Sequence, residues 1–196
     1  PEKAKLIGVI ELNDIRRNSV AERFGLDASE CYSDYREFFR SPKKADAVMI
    51  CTPENMHFEP CMLAIQAGYH VLLEKPIAQK LEECQAIAEA AREKGVIVVV
   101  CHVLRYHPYF MKIKELVDSG ELGNIITINH RTLVGIDRMT HSFVRGPWRR
   151  ESESNPMLVS KCCHDLDFLL WMTKTRCRKL SSFGSLRWFK SANAPE

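Results

Sequence analysis

The stretch Tyr69-His70-Val71-Leu72-Leu73-Glu74-Lys75-Pro76 holds the residues best suited to chemistry. A short apolar run reads as a buried β-strand, and it stops at an acid, an amine and a ring. Ligands of open α/β sheets bind just beyond the carboxyl ends of the strands, so an amine at that point is placed to polarise a reacting oxygen. Pro76 fixes its own φ and disfavours helical backbone at Lys75, which stiffens the strand exit. The competing reading of Lys75 is a solvated strand-end lysine.

A second group is Lys161-Cys162-Cys163-His164-Asp165. An imidazole titrates near neutrality and serves as general acid or base, which makes His164 a catalytic candidate. Lys161 lies three residues earlier and would share a helix face with it, so Lys161 is a candidate source of positive charge. Asp165 is adjacent and would point elsewhere on the helix, yet with His164 it is a substrate-binding candidate. A third group, Met139 to Arg149, is rich in Arg, His and aromatic residues. Arg145 and Trp148 suit a polar, hydroxylated ligand: aromatic faces meet sugar C–H surfaces and Arg meets hydroxyls or a carboxylate. A plain surface loop is the alternative there.

Metal chemistry is not expected. The eight cysteines include no CxxC pair, and vicinal Cys162 and Cys163 point in different directions on a helix. They read as buried free thiols of a reducing cytoplasm. His102, His130 and His141 have no metal-ligand spacing. The net charge of +3 is too small and too scattered for a nucleic-acid partner. No apolar run reaches the roughly 18 residues of a membrane span, and Pro1 to Lys5 do not form a signal peptide. A cytoplasmic protein with a small-molecule substrate and no membrane partner is the expectation.

The elements that must position these residues follow from periodicity. Apolar runs at Lys5–Ile10, Ala45–Cys51, Tyr69–Leu73 and Val96–Cys101 predict buried strands. Helices are predicted after Asn13 or Asp14, over Glu54–Ala67 with Met56, Pro60, Leu63, Ala64 and Ala67 near one face, and over Leu81–Lys94 with Ile87, Ala88 and Ala91 inward. Strands alternating with helices imply βαβ units and a parallel sheet. Beyond residue 103 the character changes. A helix over Pro108–Ser119 leads into an alternating strand at Asn124–Leu133. An irregular stretch from 134 to 155 follows, then a helix over Met157–Met172 with Leu166, Leu169, Leu170 and Trp171 in the core, and a strand at Leu180–Phe189. Two domains are expected, residues 1–102 and 103–196.

Four blocks resemble the Gfo/Idh/MocA family of NAD(P)-dependent oxidoreductases. They are Ile50-Cys51-Thr52-Pro53-Glu54-Asn55-Met56-His57; Ala64 to Pro76, the most specific; Arg105-Tyr106-His107-Pro108 with Lys112 to Gly123; and Lys161 to Asp167. The resemblance implies an α/β fold: a parallel-sheet, Rossmann-type NAD(P)-binding domain followed by part of a substrate-binding α/β domain with an open sheet. It implies that Glu11 meets the adenosine ribose, which favours NAD slightly over NADP, with Arg16 and Arg17 offsetting that preference. Thr52, Pro53, His57, Arg105 and Tyr106 would line the cofactor cleft. Lys75 would polarise the reacting oxygen, Glu74 would orient Lys75 or contact the nicotinamide side, and His164 would act as base or acid. A homo-oligomer pairing through the second-domain sheet is a further implication.

Two departures stand out. No Gly-x-Gly-x-x-Gly turn occurs in the chain, whereas the family places one after its first strand. The chain is therefore expected to be an internal piece of a longer protein, with weak or absent cofactor binding of its own. Many members also carry an aspartate four residues before the histidine; here that position is Ser160. The implied activity is hydride transfer between NAD(P) and a hydroxyl or carbonyl carbon of a sugar or polyol. The alternatives are an NAD-dependent glycosidase, betrayed by nitrophenol release without net NADH, and a non-catalytic dinucleotide-binding regulator, betrayed by indifference to Lys75→Ala.

Overall fold

The computed structural model describes residues 4–193, and the chain divides into two units, Pro1–Cys101 and His102–Glu196. The first unit runs β1 (Val9–Ile10), α1 (Asp14–Phe24), β2 (Cys31–Tyr32), α2 (Tyr35–Arg40), β3 (Ala47–Ile50), α3 (Phe58–Gln66), β4 (His70–Leu73), α4 (Leu81–Lys94) and β5 (Val98–Val100). Every strand pairing is parallel, in an α/β, Rossmann-like arrangement. The strands form two sheets, β1–β2 and β3–β4–β5. Strand β2 is too short to stand out in the sequence, and its pairing with β1 is what reveals it.

Local chemistry sets the helix ends. The Asn13 side chain accepts the Arg16 N–H at the start of α1, and Gly25 ends it in the left-handed region at φ 65°. Lys80 opens α4, and Gly95 closes it at φ 66°. The region expected to be one helix over Glu54–Ala67 is a 3₁₀ turn, Glu54–Met56, followed by α3.

The core of the first unit gathers Phe38, Ile50, Cys61, Ala64, Ile65, Tyr69, Val71, Leu73, Ile87 and Ala91. Strand alternation explains the choice. Val71 and Leu73 point to the side covered by α3 and α4, while Met49 and Val99, register partners of Leu72, remain exposed. Ala88, expected to face inward, is exposed, because Ile87 and Ala91 already define the packed stripe of α4. Of the cysteines only Cys61 is buried, its thiol pushed up to about 12 by burial. Cys51 and Cys177 are exposed, which corrects the expectation of uniformly buried thiols.

The second unit holds a 3₁₀ turn at Val103–Tyr106, α5 (Pro108–Asp118), the short α6 (Ile136–Arg138) running into a π-helical turn at Met139–Val144, α7 (Met157–Ser160) and α8 (Cys163–Thr173). The strands expected at Asn124–Leu133 and Leu180–Phe189 do not form among the described residues. A period-two pattern encodes two faces, but a strand also needs a ladder partner, and neither segment has one here. Their apolar residues accordingly face solvent: Ile126 is 89% exposed, Leu133 94% and Phe183 97%.

The expected helix Met157–Met172 is broken at Lys161–Cys162. In α8 the buried residues are Phe168 and Met172, whereas Leu166 and Leu170 are exposed, against the expectation that both belong to the core. Phe168 packs edge-on against Phe110 of α5 and Trp171, which fixes the face that α8 turns inward. No helix among the described residues is long and apolar enough to cross a membrane.

Candidate functional site

In the first unit the candidate residues collect at the carboxyl ends of the strands. Ile50, Leu73 and Val100 are register partners, so Cys51, Glu74 and Cys101 follow side by side at the exits of β3, β4 and β5. The Glu74 N–H donates to the Ile50 carbonyl at 3.0 Å and the Cys101 N–H to the Leu73 carbonyl at 2.8 Å, extending the ladder one residue past the strands. Glu74 Oε2 accepts the Lys75 N–H at 3.1 Å. Burial, then the charge of Glu74 and a hydrogen bond to it, push the Cys101 thiol up, while the nearby Lys75 ammonium pulls it down. Cys51 is raised in the same way by burial and Glu74. Glu74 is thus the electrostatic centre of this edge, with the Lys75 charge beside it. The Lys75–Pro76 peptide is cis.

His57 lies beneath this edge. It is 1% exposed, with Nδ1 lying 2.8 Å from the Pro76 carbonyl oxygen and Nε2 3.0 Å from that of Thr52. Both ring nitrogens face backbone carbonyl oxygens. The side chain ties the exit of β3 to the turn carrying Lys75. The Thr52 hydroxyl donates to the Met56 carbonyl at 3.2 Å, and Pro53 opens the 3₁₀ turn that brings His57 underneath.

Glu11 follows β1. Its Oε1 accepts the Asn13 N–H and Arg16 Nη2, each at 2.9 Å. Those two bonds, the Asn13 one foremost, hold its carboxyl below the usual range. Arg17 donates to the Glu11 carbonyl at 2.6 Å and pairs with Asp14. Arg16 therefore neutralises Glu11 directly, and Arg17 is committed elsewhere.

In the second unit the chemistry centres on α8. Asp165 Oδ1 accepts the Thr132 hydroxyl and lies 2.7 Å from His130 Nε2. Burial raises the Asp165 carboxyl, but the bonds from Thr132 and His130 and the charges of His130 and Lys161 outweigh it and leave the group below its ordinary value. Burial, then the charge of Asp165, push the Cys162 thiol up, with Lys161 opposing them. Because the helix is interrupted between Lys161 and Cys163, the face expected to be shared by Lys161 and His164 is not a continuous one. Ser160, at the position where the family resemblance leads one to expect an aspartate, is buried and donates to the Asn155 carbonyl at 3.1 Å.

Arg105 is engaged within its own unit. Its guanidinium forks onto Asp167, Nε to Oδ2 at 2.8 Å and Nη2 to Oδ1 at 2.7 Å, and lies 5.9 Å from the Trp171 ring centroid. The fork and the ring fix the orientation of a side chain that is 41% exposed. Tyr106 is 68% exposed. Arg145 Nη2 lies 3.4 Å from His141 Nε2, and the Trp148 ring stands 6.3 Å from Phe143, so both make contacts with their own turn. Gly146 makes that turn possible, since a Cβ there would sit 1.9 Å from the His141 carbonyl oxygen.

Two residues passed over in the sequence belong to this picture. His102 Nε2 lies 3.9 Å from Asp167 Oδ1, and its ring meets that of His164 edge to face at 5.8 Å. His130 holds Asp165. Neither is reached by sequence spacing, because each partner lies 35 to 65 residues away along the chain.

This combination of parallel βαβ units with an acid and an amine at the strand exits has relatives. Residues 1–102 match the family described as an oxidoreductase family with an NAD-binding Rossmann fold, and residues 110–193 match the GFO/IDH/MocA C-terminal domain. The chain belongs to the Gfo/Idh/MocA oxidoreductase family. It is 42% identical over 82 residues to scyllo-inositol 2-dehydrogenase (NADP(+)) IolW of Bacillus subtilis, covering 42% of this chain and 23% of that protein. Levoglucosan dehydrogenase of Pseudarthrobacter phenanthrenivorans is 31% identical over 119 residues, 61% of this chain and 30% of that one. Among solved structures, an inositol dehydrogenase homolog complexed with NAD+ from Azotobacter vinelandii superposes with a TM-score of 0.74 at 26% identity, over 87% of this chain and 46% of that one. The chain thus spans less than half the length of each of these relatives.

Proposed function

We propose that the chain forms part of an NAD(P)-dependent oxidoreductase that moves a hydride between its cofactor and a hydroxyl-bearing carbon of a sugar or polyol. The observation that carries this reading is the Glu74–Lys75 pair at the exit of β4, one strand from Thr52-Pro53 and one from Cys101. The names of the inositol and levoglucosan dehydrogenases support the substrate class.

The residues fit a dinucleotide in part. Among the described residues both Glu11 bonds fall on Oε1, which leaves Oε2 to meet ribose hydroxyls. A carboxylate there disfavours a 2′-phosphate, so NAD is preferred slightly, with Arg16 moderating the preference. The glycine turn that cradles a pyrophosphate is not among the 196 residues. When bound, the nicotinamide supplies the redox chemistry. Lys75 would hold the substrate oxygen with its ammonium as alkoxide character develops, and Glu74 would keep that ammonium in place. His164 would take the hydroxyl proton during oxidation and return it during reduction.

The test is NADH or NADPH formation by the protein in its full gene-encoded length, against inositols, levoglucosan and aldoses. Turnover with one of them, lost in Lys75→Ala, is expected. Nitrophenol release from aryl glycosides without net NADH would assign the glycosidase chemistry instead. Biological activity surviving Lys75→Ala would assign a regulator.

A further inference from the structure

His164 has a neighbour that the site described above does not use. The His102 ring stands edge to face with it, 5.8 Å between centroids, and His102 Nε2 faces Asp167 Oδ1 at 3.9 Å. Asp167 is itself fixed by the Arg105 fork and is only 13% exposed, and the His102 side chain is 20% exposed. The arrangement is a chain of four groups: guanidinium, carboxylate, imidazole, imidazole.

We propose that His102 is a positioning residue for His164: the two rings form a coupled pair that holds one proton more readily than two, with His102, beside Asp167, the ring that charges first. Two imidazolium ions this close repel each other, and the carboxylate selects which ring is charged. His164 is then kept neutral, the form that accepts a proton from a substrate hydroxyl. This rests on the reading of His164 as the acid–base group and adds a device that tunes it. Arg105 reaches the pair through Asp167, and His130 and Lys161 act on Asp165, the neighbour of His164 in the chain. Asp165 is engaged by His130 and Thr132, and Asp167 by Arg105, so each of these two carboxylates has a partner besides the pair.

The experiment needs neither cofactor nor substrate. The protein is labelled with ¹⁵N-histidine, and the ring resonances of His102 and His164 are followed against pH in the parent, His102→Phe and His164→Phe. Phenylalanine keeps an aromatic edge in place and removes the charge. At this separation and partial solvation, removing His102 raises the His164 midpoint by about one pH unit. Because His102 charges first, while His164 is still neutral, His164→Phe leaves the His102 midpoint nearly in place. An unchanged His164 midpoint in His102→Phe overturns the proposal, and so does a larger rise at His102 in His164→Phe than at His164 in His102→Phe, which would mean that His164 charges first. If either phenylalanine variant fails to fold, His102→Gln and His164→Gln are read by the same criterion. Loss of turnover in His164→Ala with no rise of the His164 midpoint in His102→Phe would leave the acid–base role standing and remove the coupling. That rise with turnover intact in His164→Ala would do the opposite.

Discussion

Arg105 and Asp167 are joined by two nearly parallel hydrogen bonds, 2.8 and 2.7 Å long, that tie the 3₁₀ turn Val103–Tyr106 to α8. Trp171 extends the joint: the Arg105 guanidinium lies 5.9 Å from its ring centroid and the Lys114 amine 6.0 Å. A planar fork is the one cationic group that satisfies both carboxylate oxygens at once.

Arg105→Lys keeps the charge and loses the fork. The expected cost is about 1 kcal/mol, because one charge-assisted bond remains and Arg105 is partly solvated. Urea denaturation read by Trp fluorescence checks it. A variant as stable as the parent would mean that the fork contributes nothing beyond a point charge.

His57 makes a sharper case. Its ring is buried between the carbonyls of Thr52 and Pro76, two segments separated by α3 and β4. His57→Leu fills the space but removes the ring N–H from between the Pro76 and Thr52 carbonyl oxygens, leaving the one it serves without that donor. A loss of about 2 to 4 kcal/mol is expected. The same change should loosen the Glu74–Lys75 turn, which amide hydrogen exchange at residues 74–78 will report as faster exchange. Unaltered exchange there would separate the histidine from the positioning of Lys75.

The first unit is legible in the sequence because its strands are apolar throughout and its helices end at Gly25 and Gly95, signals that local chemistry writes directly. Lys75, Glu74 and Thr52 stand out by their place at strand exits, which periodicity locates. The second unit resists for a different reason. The alternation at 124–133 states which side chains share a face but not whether a neighbouring strand exists. The break at Lys161–Cys162 leaves no mark in the pattern, since no proline or glycine causes it. His57, Arg105 and His102 escape a reading of sequence because tertiary contacts set their roles: a ring between two distant carbonyls, a fork on Asp167, an edge against His164.

Glu11 carries a pH signature. Its carboxyl is held below the ordinary value of 4.5, first by the Asn13 N–H and then by Arg16. A lowered acid stabilises the fold above its unfolded value, where it is ionised in both states, and that contribution disappears as the pH falls through the folded value. Glu11→Gln should therefore be less stable than the parent at neutral pH, by no more than about 1 kcal/mol for so solvated a pair. The gap should close as the pH falls below 4.5 and through the folded value, measured by urea midpoints across the range. A gap that is constant with pH would show that the loss is one of packing.

Lys174 is a non-glycine residue in the left-handed region, φ 54°, at the C-cap of α8, with its N–H donating to the Leu170 carbonyl. Its amine lies 3.0 Å from Asp118 Oδ1, alongside Lys114, and those two bonds, Lys114 first, hold the Asp118 carboxyl below its usual range. Two effects oppose each other in Lys174→Gly. Glycine relieves the backbone conformation, worth about 1 kcal/mol. The ion pair it removes is exposed and contributes little, with Lys114 still bound to Asp118. Net stabilisation is expected, which raises the thermal midpoint by a degree or more. Lys174→Ala, which loses the amine without freeing the backbone, should instead be slightly less stable than the parent. If both variants fall below it, the ion pair with Asp118 outweighs the cap, and the left-handed turn is held for the sake of that contact.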